Sequence, residues 1–224
     1  MSAEFAISNY SLDSDRAHDP ESIPTAFRRR IDGRFPVDPF GADPLLQDVV
    51  APLVERCTPV RVENAERLPD IGPAVLVANR GLGIGEPIAL SVAVRKTVRR
   101  RLRVVGTPEW PLLGPTLRKL GGVGLRPDDV GALLRAEHLV AVPLGLTWLR
   151  TGAGAPPLDL LVAALGYPVI PVAVRVGGPM GLAIRPWRVV IGEPVEQRAG
   201  LARDQLAAAE LAERAREAVA SLLG

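Results

Sequence analysis

Hydrophobic and polar positions divide the chain into short segments whose period switches between that of a helix and that of a buried strand. From Asp43 to Cys57 the residues Leu45, Leu46, Val49, Val50, Leu53 and Val54 recur at helical spacing, with Asp43 as cap and Pro44 in the first turn. That predicts an amphipathic helix. Pro59-Val60-Arg61-Val62 alternates as a first strand, and after a turn through Gly72-Pro73 the run Ala74 to Ala78 reads as a buried strand. Pro87 suits the first turn of a helix that Ile88, Leu90, Val92 and Val94 carry to about Arg100. A strand from Arg103 to Gly106, a short helix from Pro115 to Leu120 and a helix from Pro127 to Ala136 follow. The strand His138 to Val142 is then broken by Pro143-Leu144-Gly145. The remaining elements are a helix over Leu158 to Leu165 and strands over Val169 to Val176 and Trp187 to Ile191. A final helix from Asp204 to Leu223 carries Leu206, Leu211, Ala215, Val219 and Leu222 on or near one face.

Strands alternating with helices predict one α/β domain, a mixed and largely parallel sheet flanked by helices. Residues 1–36 show no regular apolar period and carry Arg28, Arg29 and Arg30 among Ser, Asp and Pro. They read as a mobile N-terminal tail, which leaves the α/β domain to 37–224. There is no internal repeat.

Composition narrows the class. With 224 residues, 47% of them hydrophobic, the chain can bury one sizeable core. Its formal net charge is only +2, and lysine occurs only at Lys96 and Lys119, so most of the positive charge is arginine. No recognition motif accompanies those arginines and aromatics are only 4%, which argues against a nucleic-acid partner. The single cysteine, Cys57, excludes an internal disulfide framework and a cysteine-based zinc site, fits a reducing cytoplasm, and is expected to be buried or half-buried. Met1 to Glu21 is polar, unlike a secretion signal, and no segment reaches the roughly 18 apolar residues that a spanning helix needs. A cytoplasmic protein without a metal is expected.

No GxSxG elbow, P-loop or dinucleotide fingerprint occurs, and only two histidines are available for acid-base work. His18 lies in the tail; His138 opens a strand, where a structural role is the commoner fate. The most informative run is Gly72-Pro73-Ala74-Val75-Leu76-Val77-Ala78-Asn79-Arg80-Gly81-Leu82-Gly83-Ile84-Gly85-Glu86-Pro87. It delivers Asn79 and Arg80 from a strand into a Gly-rich turn and a helix start, the junction where α/β proteins place chemistry.

From about Cys57 to Val195 the chain resembles the glycerolipid and lysophospholipid acyltransferases, of which 1-acyl-glycerol-3-phosphate acyltransferases are a branch. Their first block resembles Gly72 to Asn79 and continues with a His and, a few residues on, an Asp. In that family the His is the base for the acceptor hydroxyl, and the Asp orients its ring, as acyl transfer to an alcohol requires. Here Arg80 stands at the His position, and its guanidinium stays protonated at any working pH. Glu86 is the candidate for the Asp, although the family spacing would reach Gly85 instead.

The second block is retained as Gly121-Gly122-Val123-Gly124-Leu125-Arg126, and the resemblance implies that Arg126 binds an acceptor phosphate; a solvated surface Arg is the alternative. The third, Phe-Pro-Glu-Gly in the family, reads Val142-Pro143-Leu144-Gly145, so the acceptor-binding carboxylate is lost to Leu144. Pro168 to Val174 and Val190 to Val195 match the later blocks. The resemblance implies the acyltransferase fold with a degenerate catalytic site. It would bind a lipid, an acyl thioester such as acyl-CoA or an acyl carrier, or a partner protein, through Asn79, Arg80, Arg126, Pro143 and Gly145. The alternative is an active acyltransferase that transfers a fatty acyl group to a lysophospholipid-type hydroxyl, with Glu86 or His138 as a rearranged base. Arg80 would either bind an anion beside the helix start or pair with Glu86. The cluster Arg95, Lys96, Arg99, Arg100, Arg101 and Arg103 suggests peripheral contact with anionic lipid, the alternative being a solvated helix end. Trp110 and Trp148 are candidates for an apolar groove or rim, core packing being the commoner fate.

Overall fold

The structure is a computed structural model that describes residues 28, 37–79, 85–107, 111, 114–144, 158–176, 186–197 and 204–224. The tail, Arg80, Gly145, Trp110 and Trp148 lie outside the described residues, apart from residue 28.

Helix α1 (Pro44–Cys57) begins as the sequence predicts, for the Asp43 carboxylate accepts from the Leu46 N–H at 3.0 Å. Strand β1 (Val60–Glu63) and a single 3-10 turn lead to β2 (Ala74–Ala78) and α2 (Gly85–Val98). Next come β3 (Leu102–Val105), α3 (Gly114–Lys119), β4 (Gly122–Val123), α4 (Pro127–Arg135) and β5 (Leu139–Pro143). The chain closes with α5 (Leu158–Ala164), β6 (Val169–Arg175), β7 (Trp187–Ile191) and α6 (Gln205–Leu223).

The seven strands form one sheet in the order β1-β7-β6-β2-β5-β3-β4. All paired neighbours run parallel except β6 and β7. The expected mixed, largely parallel α/β fold is what forms.

The two faces of the sheet are sorted by the pleat. Val75 and Val77 of β2, with Val140 and Val142 of β5, face a core completed by α4, α5 and α6. Ala74, Leu76 and Ala78, with Leu139 and Ala141, face the opposite core, against Ala89, Leu90, Ala93 and Val94 of α2. Because β2 and β5 are covered on both faces, they read as continuous apolar runs rather than as alternating ones. Leu211, Ala215 and Val219 of α6 are buried as predicted, whereas Leu206 is 68% exposed. Cys57, the last residue of α1, is exposed, which corrects the expectation of a buried or half-buried thiol.

Candidate functional site

The parallel strands bring the ends of β2 and β5 to one edge of the sheet, where α2 starts. Ala78, Asn79, Glu86, Pro87, Pro143 and the neighbouring strand residues enclose a cavity of about 20 Å³. That is room for about one water molecule.

The Asn79 side chain is engaged in the fold. Its Nδ2 donates to the Val174 carbonyl at 2.9 Å, and its Oδ1 accepts from the Val174 N–H at 2.6 Å. The amide thus extends the β2–β6 pairing by one step after Ala78, which pairs with Val172. Glu86 lies in the first turn of α2, half-buried, and among the described residues its carboxylate has no hydrogen-bond or ion-pair partner. Gly85, just before it, permits the close approach of Trp187: a Cβ there would sit 2.7 Å from the indole.

Pro143 ends β5 beside Glu86. Leu144, where the sequence resemblance would place a Glu, is 2% exposed and packs into the core; its N–H donates to the Ala78 carbonyl at 2.8 Å. An apolar side chain there fills the space a carboxylate would have to leave solvated.

His138 corrects the alternative in which it supplies the base. It precedes Leu139, which pairs with Ala74 at the start of β2, whereas Asn79 follows the end of that strand. Six residues of strand separate the two levels, about 20 Å at 3.3 Å per residue. His138 is buried and meets the Phe40 ring edge-on at 6.1 Å. A strand-initial residue in a parallel sheet faces the edge away from the site.

Arg126 stands at the N-terminal end of α4 and shares a separate cavity of about 310 Å³ with Arg118, Asp129 and the 39–41 turn. No residue of that cavity lines the one beside Glu86. Strand β4 is three places from β2 in the sheet, a lateral distance of about 14 Å. The glycines of its block have packing roles: Gly121 has φ +98°, and a Cβ on Gly122 would sit 2.5 Å from Thr107 and 2.8 Å from the Leu117 carbonyl.

The predicted basic patch is also corrected. Arg100, Arg101 and Arg103 are 3%, 4% and 2% exposed. Arg100 donates to the carbonyls of Pro69, Gly72 and Glu137, tying together the chain leading into β2 and into β5. Arg103 pairs with Asp38, and Arg101 with Asp48 at 2.6 Å. Arg95 bridges Asp48 at 2.8 Å and Glu55 at 3.3 Å. Of the six, only Lys96 and Arg99 are exposed. Acidic partners from the segment before and within α1 draw Arg95, Arg101 and Arg103 inward, and backbone carbonyls hold Arg100.

Sequence reasoning missed an apolar groove. Between α1, α2 and β3 runs a groove of about 230 Å³, lined by Val50, Ala51, Val54, Ile88, Val92 and Val104 among others. Pro87 and Val104 line both this groove and the small cavity beside Glu86, so the two adjoin. The signal lay in α1 and α2, each with more apolar positions than one buried face uses. Among the described residues no group of His, Cys, Asp and Glu could hold a metal, and no helix is long and apolar enough to cross a membrane.

No family model matches the chain. It is 27% identical over 267 residues to an uncharacterized protein of Mycobacterium leprae, covering 94% of this chain and 73% of that protein. An uncharacterized protein of Mycobacterium tuberculosis strain H37Rv is 28% identical over 253 residues, covering 88% of this chain and 71% of the relative. Among solved structures, the 1-acyl-sn-glycerophosphate (LPA) acyltransferase PlsC from Thermotoga maritima superposes with a TM-score of 0.51. It is 16% identical, with 95% of this chain and 94% of that one covered. The chain therefore has the fold of that acyltransferase.

Proposed function

We propose that this protein binds an acyl chain, as part of a lipid or an acyl thioester, without efficient acyl transfer. The observation that carries the reading is the apolar groove that adjoins the β2–α2 junction. Its lining offers burial to a hydrocarbon and few polar anchors to a peptide, which favours a lipid or thioester over a partner protein. The loss of turnover follows from the residues: Arg80 cannot act as a base, His138 is on the opposite edge, and Leu144 is apolar.

A second reading, transfer of an acyl group from a thioester to a lysophospholipid-type hydroxyl, is favoured by one feature. The Glu86 carboxylate, without a partner among the described residues, borders a cavity the size of one water. It would take the hydroxyl proton as the oxygen attacks the thioester carbonyl, and the thiolate would leave. The test is incubation with long-chain acyl-CoA and lysophosphatidic acid, with free thiol and acylated product both measured, beside a thermal-shift titration of each ligand. Stabilisation by acyl-CoA with no product supports binding alone. Product that disappears in Glu86→Ala replaces that reading with the enzymatic one.

A further inference from the structure

Strands β1, β7 and β6 carry a row of arginines on the face of the sheet away from α2. Val60 and Val62 of β1, Val189 and Ile191 of β7, and Val172 and Val174 of β6 pack toward α2. The pleat therefore turns Arg61, Arg188 and Arg175 to the opposite face. Register sets them side by side: Arg61 pairs with Arg188 across β1 and β7, and Arg188 with Arg175 across β7 and β6. With strands about 4.8 Å apart, the row is about 10 Å wide.

Such a row opposes folding, because like charges directly opposite one another on a sheet repel. Among the described residues one carboxylate, Glu63, is paired with it. Glu63 lies two residues after Arg61 on the same face and accepts from Arg188 Nε at 2.5 Å and from a terminal nitrogen at 2.8 Å. The Arg61 guanidinium is exposed and has no partner among the described residues. Arg175 donates from one terminal nitrogen to the Leu222 carbonyl at 2.5 Å, near the end of α6, while its Nε is buried without an acceptor. Beyond that helix end the row is open: the Arg188 and Glu63 side chains are 53% and 42% exposed.

A guanidinium is a planar fork that matches two oxygens of a carboxylate or a phosphate at once. Glu63 satisfies one such fork. A phosphate or diphosphate group has oxygens on several sides, so it can bridge neighbouring forks, and its multiple charge offsets the repulsion along the row. Turning Arg175 toward it would also give the orphaned Nε–H an acceptor. We infer that Arg61, Arg188 and Arg175 form an anion site for a phosphate or diphosphate group, with Glu63 as its internal competitor. The site stands apart from the acyl-chain reading, since none of these residues lines the groove or the cavity beside Glu86.

The test is calorimetric titration of inorganic diphosphate, and separately of inorganic phosphate, into the full chain at matched ionic strength. Diphosphate binds more tightly than phosphate, and Arg61→Gln and Arg188→Gln each weaken it about three- to tenfold. Glu63→Gln, which frees the fork of Arg188, tightens it by a similar factor. Because Arg61 is exposed and without a partner, Arg61→Gln tests the site without disturbing the fold. Arg135→Gln makes the same charge change on α4 and leaves the affinity within about twofold. Flotation with phosphatidylcholine vesicles containing phosphatidic acid identifies the source of the phosphate. Vesicle binding that diphosphate displaces and Arg61→Gln weakens makes it a lipid head group; diphosphate binding without vesicle binding makes it a soluble phosphate ester. Four results overturn the site: no binding of diphosphate, affinity unchanged in Arg61→Gln and Arg188→Gln, an equal loss in Arg135→Gln, or no tightening in Glu63→Gln.

Discussion

Asn79→Ala separates a role in the fold from a role in ligand contact. The amide makes two bonds with Val174, one in each direction, at 2.9 and 2.6 Å. Alanine removes both and leaves a backbone N–H and a carbonyl of β6 without these partners. Two hydrogen bonds at about 1 kcal/mol each give a loss of about 2 kcal/mol. For a chain of this size, that lowers Tm by about 4 to 8 °C. Asn79→Asp sharpens the reasoning. One carboxylate oxygen can still accept from the Val174 N–H, but the other now faces the Val174 carbonyl where a donor stood, so Asp restores none of the lost stability. The assay is thermal unfolding followed by circular dichroism, with thermal-shift titration of acyl-CoA on each folded variant. A Tm within 1 °C of wild type for Asn79→Ala would refute the stapling role. Strong loss of ligand response with unchanged Tm would make Asn79 a contact residue instead.

Gly122→Ala places a methyl against Thr107 and the Leu117 carbonyl, and urea unfolding should show a loss of about 1 to 3 kcal/mol. Because the Leu117 oxygen is backbone, adding Thr107→Ser to it restores only part. Asp48→Ala removes one ion-pair partner of Arg95, which keeps Glu55, and one of buried Arg101, with an expected loss of about 3 to 5 kcal/mol in the same assay. The Glu63 carboxyl is held below its ordinary value first by its hydrogen bond from Arg188, which outweighs the opposing desolvation, with the charges of Arg188 and Arg175 lowering it further. Its folded-state pKa is depressed, so any stability it contributes is present above the unfolded value and disappears as pH falls through the folded one. A carboxyl chemical-shift titration by NMR should find Glu63 titrating below an exposed glutamate, and Arg188→Gln should return it to the ordinary range.

The sequence determined the order and type of the elements, because those depend on neighbours close in the chain. The Asp43 cap and the apolar run Ala74 to Ala78 act over a few residues, and each forms where it was read. The blocks that resemble those of acyltransferases were legible for the same reason, and much of what they encode is packing. Gly122 admits Thr107, and a Cβ on Gly192 would meet Pro171 at 2.6 Å. What a charged residue does was not legible. Arg101 and Arg103 look like the middle of a surface patch until Asp48 and Asp38, more than fifty positions earlier, are brought against them. His138 is a candidate base in the sequence and a core residue in the fold, because strand register decides which edge of the sheet it occupies. The groove was equally hidden. Two helices each carry surplus apolar positions, but only their packing against β3 leaves a space between them, with an apolar middle and ion pairs at one end. Local patterning selects elements; burial, charge pairing and cavities belong to contacts between residues far apart in the chain, and only the tertiary structure decides them.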